Sequence, residues 1–186
     1  MTMRRAVFLD RDGTINVEKD YLHRTEEFRF IPGAPEAISL LNRAGFLVIV
    51  VTNQSGIARG YFDEAAVERL HRFMDGELDR QGARVDAYYI CPHHPHHGVG
   101  EYRRECGCRK PLPGMLLQAA DDFGIDLAAS FIIGDKIADA EAGLAAGCRP
   151  ILVMTGYGEG GDDSQASGID RCADILEAVR GIIAAD

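Results

Sequence analysis

Val7-Phe8-Leu9-Asp10-Arg11-Asp12-Gly13-Thr14 decides how the rest of the chain is read. A short apolar run that stops at two carboxylates one residue apart, and then at a glycine, has the pattern of a strand buried on both faces that ends in a loop carrying chemistry. The pattern recurs further along. Phe46-Leu47-Val48-Ile49-Val50-Val51 stops at Thr52-Asn53-Gln54-Ser55-Gly56, and Ser130-Phe131-Ile132-Ile133 stops at Gly134-Asp135. Asp86 to Ile90 and Pro150 to Met154 read as further strands. Amphipathic helices are expected over about 35–44, 64–81, 114–123, 138–146 and 174–184, with Gly45, Gly124 and Gly147 as stop signals and Asp63 as a cap. Strand and helix alternate, which predicts an α/β fold: a doubly wound, Rossmann-like parallel sheet of about five core strands in a single domain over 1–186.

Bulk properties narrow the function. The 186 residues are 46% hydrophobic and 26% charged, an ordinary composition for a globular chain able to bury a core without staples. A net charge of -9 argues against nucleic acid, whose binding needs a basic face, but leaves room for a small phosphorylated substrate. No apolar run approaches the ~18 residues of a membrane span, and residues 1–5 lead into a strand rather than a signal peptide's apolar core. The expectation is a cytoplasmic monomer with no membrane and no nucleic-acid partner.

Parallel strands bring their carboxyl ends to one edge, so Asp10, Asp12, Thr52, Asn53 and Asp135 should meet there with Lys110. Clustered carboxylates need a compensating charge, and hard oxygen donors suit Mg2+. Asp10 can ligate the metal through one oxygen and attack phosphorus with the other, giving an aspartyl-phosphate. Asp12 can protonate the leaving alkoxide and later deprotonate the attacking water, with its backbone carbonyl as a further metal donor. Thr52 can donate to a phosphoryl oxygen, Lys110 can offset the charge developing there, and Asp135 completes the Mg2+ site. Asp139 could hold the preceding loop or reach the metal through water. The amide and hydroxyl groups of Asn53, Gln54 and Ser55 lie where ligands bind in such sheets. The charged, aromatic-bearing segment Glu18-Lys19-Asp20-Tyr21 either meets substrate or is simply solvated.

Five cysteines are an odd number, and Cys91, Cys106 and Cys108 share one His-rich stretch, which is metal-site arithmetic rather than a disulfide framework. Three thiolates and an imidazole close a tetrahedral zinc site of the structural kind. Spacing alone does not choose among His93, His94, His96 and His97. Cys148 and Cys172 read as small buried or incidental residues.

Asp10-Arg11-Asp12-Gly13-Thr14, Thr52-Asn53, Lys110-Pro111 and Gly134-Asp135 with Asp139 resemble the four ordered motifs of the haloacid dehalogenase-like (HAD) phosphatases over residues 6 to about 147. Each motif alone is weak: an Asp-x-Asp is more often a turn, Thr-Asn a loop start, Gly-Asp a helix cap. Their order and context make the signal. The segments 9–16, 51–60, 91–95 and 106–114 narrow the resemblance to the D-glycero-D-manno-heptose 1,7-bisphosphate 7-phosphatase family, which is itself similar to the histidinol-phosphatases that share the zinc stretch. The resemblance implies Asp10 as nucleophile, Asp12 as acid and base, and Thr52 and Lys110 as phosphoryl stabilisers. It also implies Arg109 and Lys136 as substrate-recognition residues, and His93 with Cys91, Cys106 and Cys108 as the Zn2+ ligands. It further implies release of the 7-phosphate to leave heptose 1-phosphate for surface-glycan synthesis.

Cys108 immediately precedes Arg109 and Lys110, so a pinned cysteine would pin the cationic pair. Neither gap between motifs has room for a large cap domain, so an open site is expected, with selectivity supplied by the loop after Asp10, the zinc loop and Arg109, whose planar fork suits a second anionic group. The glycine-rich, acidic loop Gly156 to Gly168 is a candidate lid. Two other readings compete: a phosphatase for histidinol phosphate or another small phosphomonoester, and a catalytically silent zinc-bearing binding module. The presence of both a nucleophile and an acid speaks against the module.

Overall fold

The computed structural model describes residues 3–160 and 168–185. Six strands form one parallel sheet: β1 Ala6–Leu9, β2 Leu47–Asn53, β3 Ala87–Cys91, β4 Phe131–Gly134, β5 Arg149–Val153 and β6 Asp170–Cys172, in the order β3-β2-β1-β4-β5-β6. Four α-helices lie between strands, α1 Ala34–Arg43, α2 Glu64–Asp79, α3 Gly114–Phe123 and α4 Ile137–Ala146, and a fifth, α5 Ile175–Ala184, follows β6.

Side chains alternate across each strand, and the two central strands bury both sets. Val7 and Leu9 of β1, with Val48 and Val50 of β2, face the layer of α1, α2 and α5 through Ile38, Leu41, Leu70, Met74, Leu78, Val179 and Ile182. Ala6, Phe8, Leu47, Ile49 and Val51 face the opposite layer, where Met115, Leu116 and Ala119 of α3 and Ala142 of α4 pack. Helices on both faces explain why these strands read as unbroken apolar runs.

The chain works outward from β1 through β2 to β3, then returns to the other side of β1 as β4. The reversal opens a crevice at the carboxyl ends of β1, β2 and β4. Local chemistry sets the helices that frame it. The Asp63 side chain accepts from the Ala66 N–H at 2.8 Å to start α2, and α4 stops at Gly147 with φ +88.

Two expectations need correction. The sheet has a sixth strand, β6, which contributes Asp170-Arg171-Cys172 to the β5 edge. It carries no apolar run, so only its pairing with β5 reveals it. The second strand does not stop before Thr52 and Asn53 but includes both, and Asn53 pairs in register with Cys91. Of the candidate lid, Gly156–Gly160 forms a 3-10 turn; residues 161–167 lie outside the described residues. Among the described residues no helix is long and apolar enough to cross a membrane.

Candidate active site and thiol cluster

Asp10 leaves β1 directly into the crevice and is 5% exposed. Lys110, from the loop before α3, extends beneath it. Its ammonium donates to Asp10 Oδ1 at 2.8 Å and to the Val51 carbonyl at 2.7 Å, and it pairs with Asp139 Oδ1 at 2.6 Å. An ammonium has three N–H donors, and all three have protein partners. Burial alone would lower the Lys110 pKa, but Asp10 and Asp139 outweigh it and hold the amine above lysine's ordinary value. Asn53 fixes the loop from the strand side: its amide donates to the Lys110 carbonyl and its oxygen accepts from the Lys110 N–H, both at 3.1 Å.

Asp10, Asp135 and Asp139 have carboxylate oxygens within 4.8 Å of one another. Asp135 Oδ2 accepts from the Tyr157 N–H at 2.8 Å. A Cβ at Gly13 would stand 2.2 Å from that oxygen and one at Gly156 2.4 Å from it, so both glycines are required by the close approach. Asp135 Oδ1 is buried without a hydrogen-bond partner. Burial, with the neighbouring Asp10 charge, pushes the Asp135 carboxyl up to about 7. An orphaned buried oxygen inside a group of three hard donors fits a divalent cation such as Mg2+.

Asp12 is turned elsewhere. Arg11 reaches its two oxygens at 2.9 and 3.0 Å, Asn16 donates at 3.0 Å and Gln54 at 3.0 Å. Burial would raise this carboxyl, but the Arg11 charge and the hydrogen bonds from Asn16, Arg11 and Gln54 hold it below the usual carboxylate range. Its carboxylate is not one of the three clustered groups; as a metal donor only its backbone remains.

A cavity of about 410 Å³ opens over Asp10, Asp12 and Asp139, while Asp135 lies behind them and does not line it. Asp10, Asp12, Thr52 and Lys110 line its floor; Glu18, Asp20, Tyr21, Asn53, Gln54, Ser55, Arg109, Lys136 and Tyr157 line its walls. Lys19 is exposed and does not line it, which separates it from Glu18, Asp20 and Tyr21. Lys136 pairs with Glu18 at 3.6 Å and stacks its ammonium 4.5 Å from the Tyr157 ring centre, while the Tyr157 hydroxyl donates to Asp20 at 3.3 Å. The loop after β5 thereby meets the loop after β1 across the mouth.

The second cluster is built from one stretch. Cys91, at the end of β3, and Cys106, Cys108 and His93 have donor atoms within 4.8 Å of one another. The Sγ atoms lie 3.1, 3.4 and 3.5 Å apart, and His93 Nδ1 is 3.4 Å from Cys108 Sγ. Three soft thiols and one imidazole converging on one point suit tetrahedral zinc. His94 is directed away: its Nδ1 accepts from the His96 and His97 N–H groups at 3.1 and 3.0 Å, which shapes the loop. Arg109 Nη1 donates to the His93 carbonyl at 3.2 Å, tying the cluster to the cavity wall.

The HAD-hydrolase-like family model matches residues 107–179. A D-glycero-beta-D-manno-heptose-1,7-bisphosphate 7-phosphatase of Photorhabdus laumondii is 46% identical over 180 residues, covering 95% of this chain and 96% of that one. The protein of the same name from Escherichia coli K12 is 51% identical over 152 residues, covering 81% and 80%. This chain belongs to that heptose-bisphosphate phosphatase family. A solved heptose 1,7-bisphosphate phosphatase from B. bronchiseptica, complexed with magnesium and phosphate, superposes with a TM-score of 0.85 at 37% identity, covering 98% of this chain and 99% of that one.

Three residues around the cavity carry no signal in the motif reading. Arg11 sits inside the first motif and is fully buried. His71 lies on the apolar phase of α2 with Val67, Leu70 and Met74, and Arg11 Nη1 is 3.2 Å from its Nε2. Its heptad-like spacing was the available clue, since a histidine on a buried helical face needs a polar partner. Tyr157, in a glycine-rich loop, has no periodic context at all.

Proposed function

We propose that the chain hydrolyses the 7-phosphate of D-glycero-β-D-manno-heptose 1,7-bisphosphate through an aspartyl-phosphate, with residues 1–186 acting as one catalytic domain. The observation that carries the reading is Asp10 on the cavity floor, held by Lys110 at 2.8 Å and clustered with Asp135, whose buried Oδ1 has no hydrogen-bond partner. The names and high coverage of the relatives support the substrate and its anomer.

Asp10 Oδ2, the oxygen not bonded to Lys110, attacks phosphorus in line, and the bond to the sugar oxygen breaks. Asp12, ionised in the free protein, takes up a proton as the anionic ester binds beside it and delivers that proton to the departing alkoxide; it then takes one from the water that cleaves the acyl-phosphate and returns Asp10. Lys110 acts chiefly by orienting Asp10 and supplying fixed positive charge, because its donors are already engaged. Thr52 Oγ1, which accepts from Gln54 at 2.9 Å, keeps its own proton for a phosphoryl oxygen. Asp10, Asp135 and the Asp12 backbone would hold Mg2+, with Asp139 close by; when bound, it offsets the negative charge of the carboxylates and phosphate. Cys91, His93, Cys106 and Cys108 would hold a structural Zn2+ that fixes the approach of Arg109 and Lys110. Arg109, Lys136, Glu18, Asp20, Tyr21, Asn53, Gln54 and Ser55 are assigned to substrate contact or its support. The protein is assigned to the cytoplasm as a monomer.

The test compares kcat/KM for both anomers of heptose 1,7-bisphosphate, fructose 1,6-bisphosphate and histidinol phosphate in Mg2+. The β-heptose ester is expected to be preferred by at least about tenfold, the factor that about 1.4 kcal/mol of differential contact provides. Preference for histidinol phosphate would overturn the substrate while leaving the chemistry.

A further inference from the structure

A fully buried arginine must place its N–H groups on acceptors, because water cannot reach them. Arg11 is 0% exposed and fills that requirement with three partners. Nε and Nη2 serve Asp12, at 3.3 and 2.9 Å for their respective contacts to Oδ1 and Oδ2. Nη2 also donates to the Leu22 carbonyl at 3.1 Å. Nη1 points at His71 Nε2, 3.2 Å away, on a different element.

Guanidinium has no acceptor and keeps its charge, so His71 Nε2 must be the acceptor. The ring is therefore neutral with its proton on Nδ1. The surroundings agree: burial, and next the Arg11 charge, lower the His71 pKa to about 3. The ring is fixed in plane by stacking on Tyr88 of β3, with centroids 4.2 Å apart and planes 17° from parallel. Tyr88 is itself tied back to α2 by its hydroxyl, which donates to Asp75 at 2.5 Å.

We infer that His71 is a positioning residue for proton transfer: its neutral Nε2 anchors Arg11, and Arg11 sets the place of the Asp12 carboxylate over the cavity. His71 acts at second hand and touches neither substrate nor metal donors. The pairing joins α2 and β3 to the loop after β1, so a helix with no motif residue governs the group that carries the proton. The inference rests on Asp12 being the proton carrier of the proposed reaction.

That role has a signature which a merely structural one lacks. A sugar alkoxide needs a proton as it leaves, whereas 4-nitrophenolate leaves without one. His71→Phe keeps a ring against Tyr88 and removes the acceptor; His71→Gln restores an oxygen near Nε2. In the Phe variant, kcat/KM for heptose bisphosphate should fall about tenfold or more, within the ~10²–10⁴ that general acid catalysis contributes, while kcat/KM for 4-nitrophenyl phosphate changes less than about twofold. The Gln variant should bring the ratio of the two back toward wild type. His71→Met deletes the acceptor without a ring and serves if the Phe variant does not fold.

An unchanged ratio in a folded Phe or Met variant overturns the inference, as does an equal fall for both esters. Any primary alkyl phosphate the wild type accepts can replace the heptose ester, so the substrate assignment can fail while this inference stands. A wild type that hydrolyses neither class of ester overturns both.

Discussion

The two donor clusters differ in how the chain assembles them. The carboxylates of Asp10, Asp135 and Asp139 come from the ends of β1 and β4 and the first turn of α4, and the fold places a cation, Lys110, among them. The thiols and imidazole come from residues 91–108, and none of the four donor residues is itself a cationic Lys or Arg. The first cluster is organised by the sheet; the second would be organised by its metal. Charge compensation is internal on one side and external on the other.

Asp10→Asn attacks the first cluster at its centre. Phosphate release is expected to fall on the order of 10⁴-fold or more, the scale of losing a nucleophile, with bound zinc unchanged; metal analysis alongside a phosphate assay checks both. Zinc lost together with activity would erase the distinction between the regions. Lys110→Met removes the internal cation and leaves two buried carboxylates facing each other. A loss of about 3–5 kcal/mol is expected on urea denaturation at pH 7, far above the effect of a surface lysine. Cys108→Ser attacks the second cluster: zinc is lost, amide exchange quickens over residues 91–108 but not in β1 or β2, and KM rises about 10–100-fold as Arg109 loses its support. Full activity in the zinc-free protein would sink the linkage between the regions.

Protons provide a milder probe of the sheet side. The His71 ring titrates near 6.5 when unfolded and at about 3 when folded. Between those values the unfolded chain binds the proton and the folded chain does not, so stability is lost as pH falls through that window and the loss levels off below it. His71→Phe lacks this titration. The stability gap between wild type and variant should therefore narrow by about 2 kcal/mol from pH 7 to pH 5, read by denaturation at the two values.

Legibility from sequence followed burial. β1, β2 and β4 were readable because both of their faces are covered, which forces an apolar run long enough to see. Asp10, Thr52 and Asp135 were readable because they punctuate such runs. β6 was not, since an edge strand with Asp170 and Arg171 exposed needs only the β5 ladder to hold it. Arg11 was hidden for the opposite reason: a charged residue between two aspartates looks solvated until Leu22, His71 and Asp12 close around it. Spacing alone could not choose the histidine that faces the thiols, because His93 and His94 are adjacent; the family resemblance pointed to His93, and the turn that His94 stabilises accompanies that placement. Thr52 and Lys110 were each found by type, but the Asn53 clamp that fixes the Lys110 backbone could not be, since reciprocal amide bonding leaves no spacing rule.

The strict alternation along β1 bears on which length changes the gene can tolerate. Ala6 and Phe8 belong to one layer, Val7 and Leu9 to the other, and Asp10 follows without an intervening residue. Deleting one codon within 6–9 would exchange the two layers and swing Asp10 to the opposite side of the sheet. An insertion or deletion in those four residues therefore ends both the fold and the nucleophile at once.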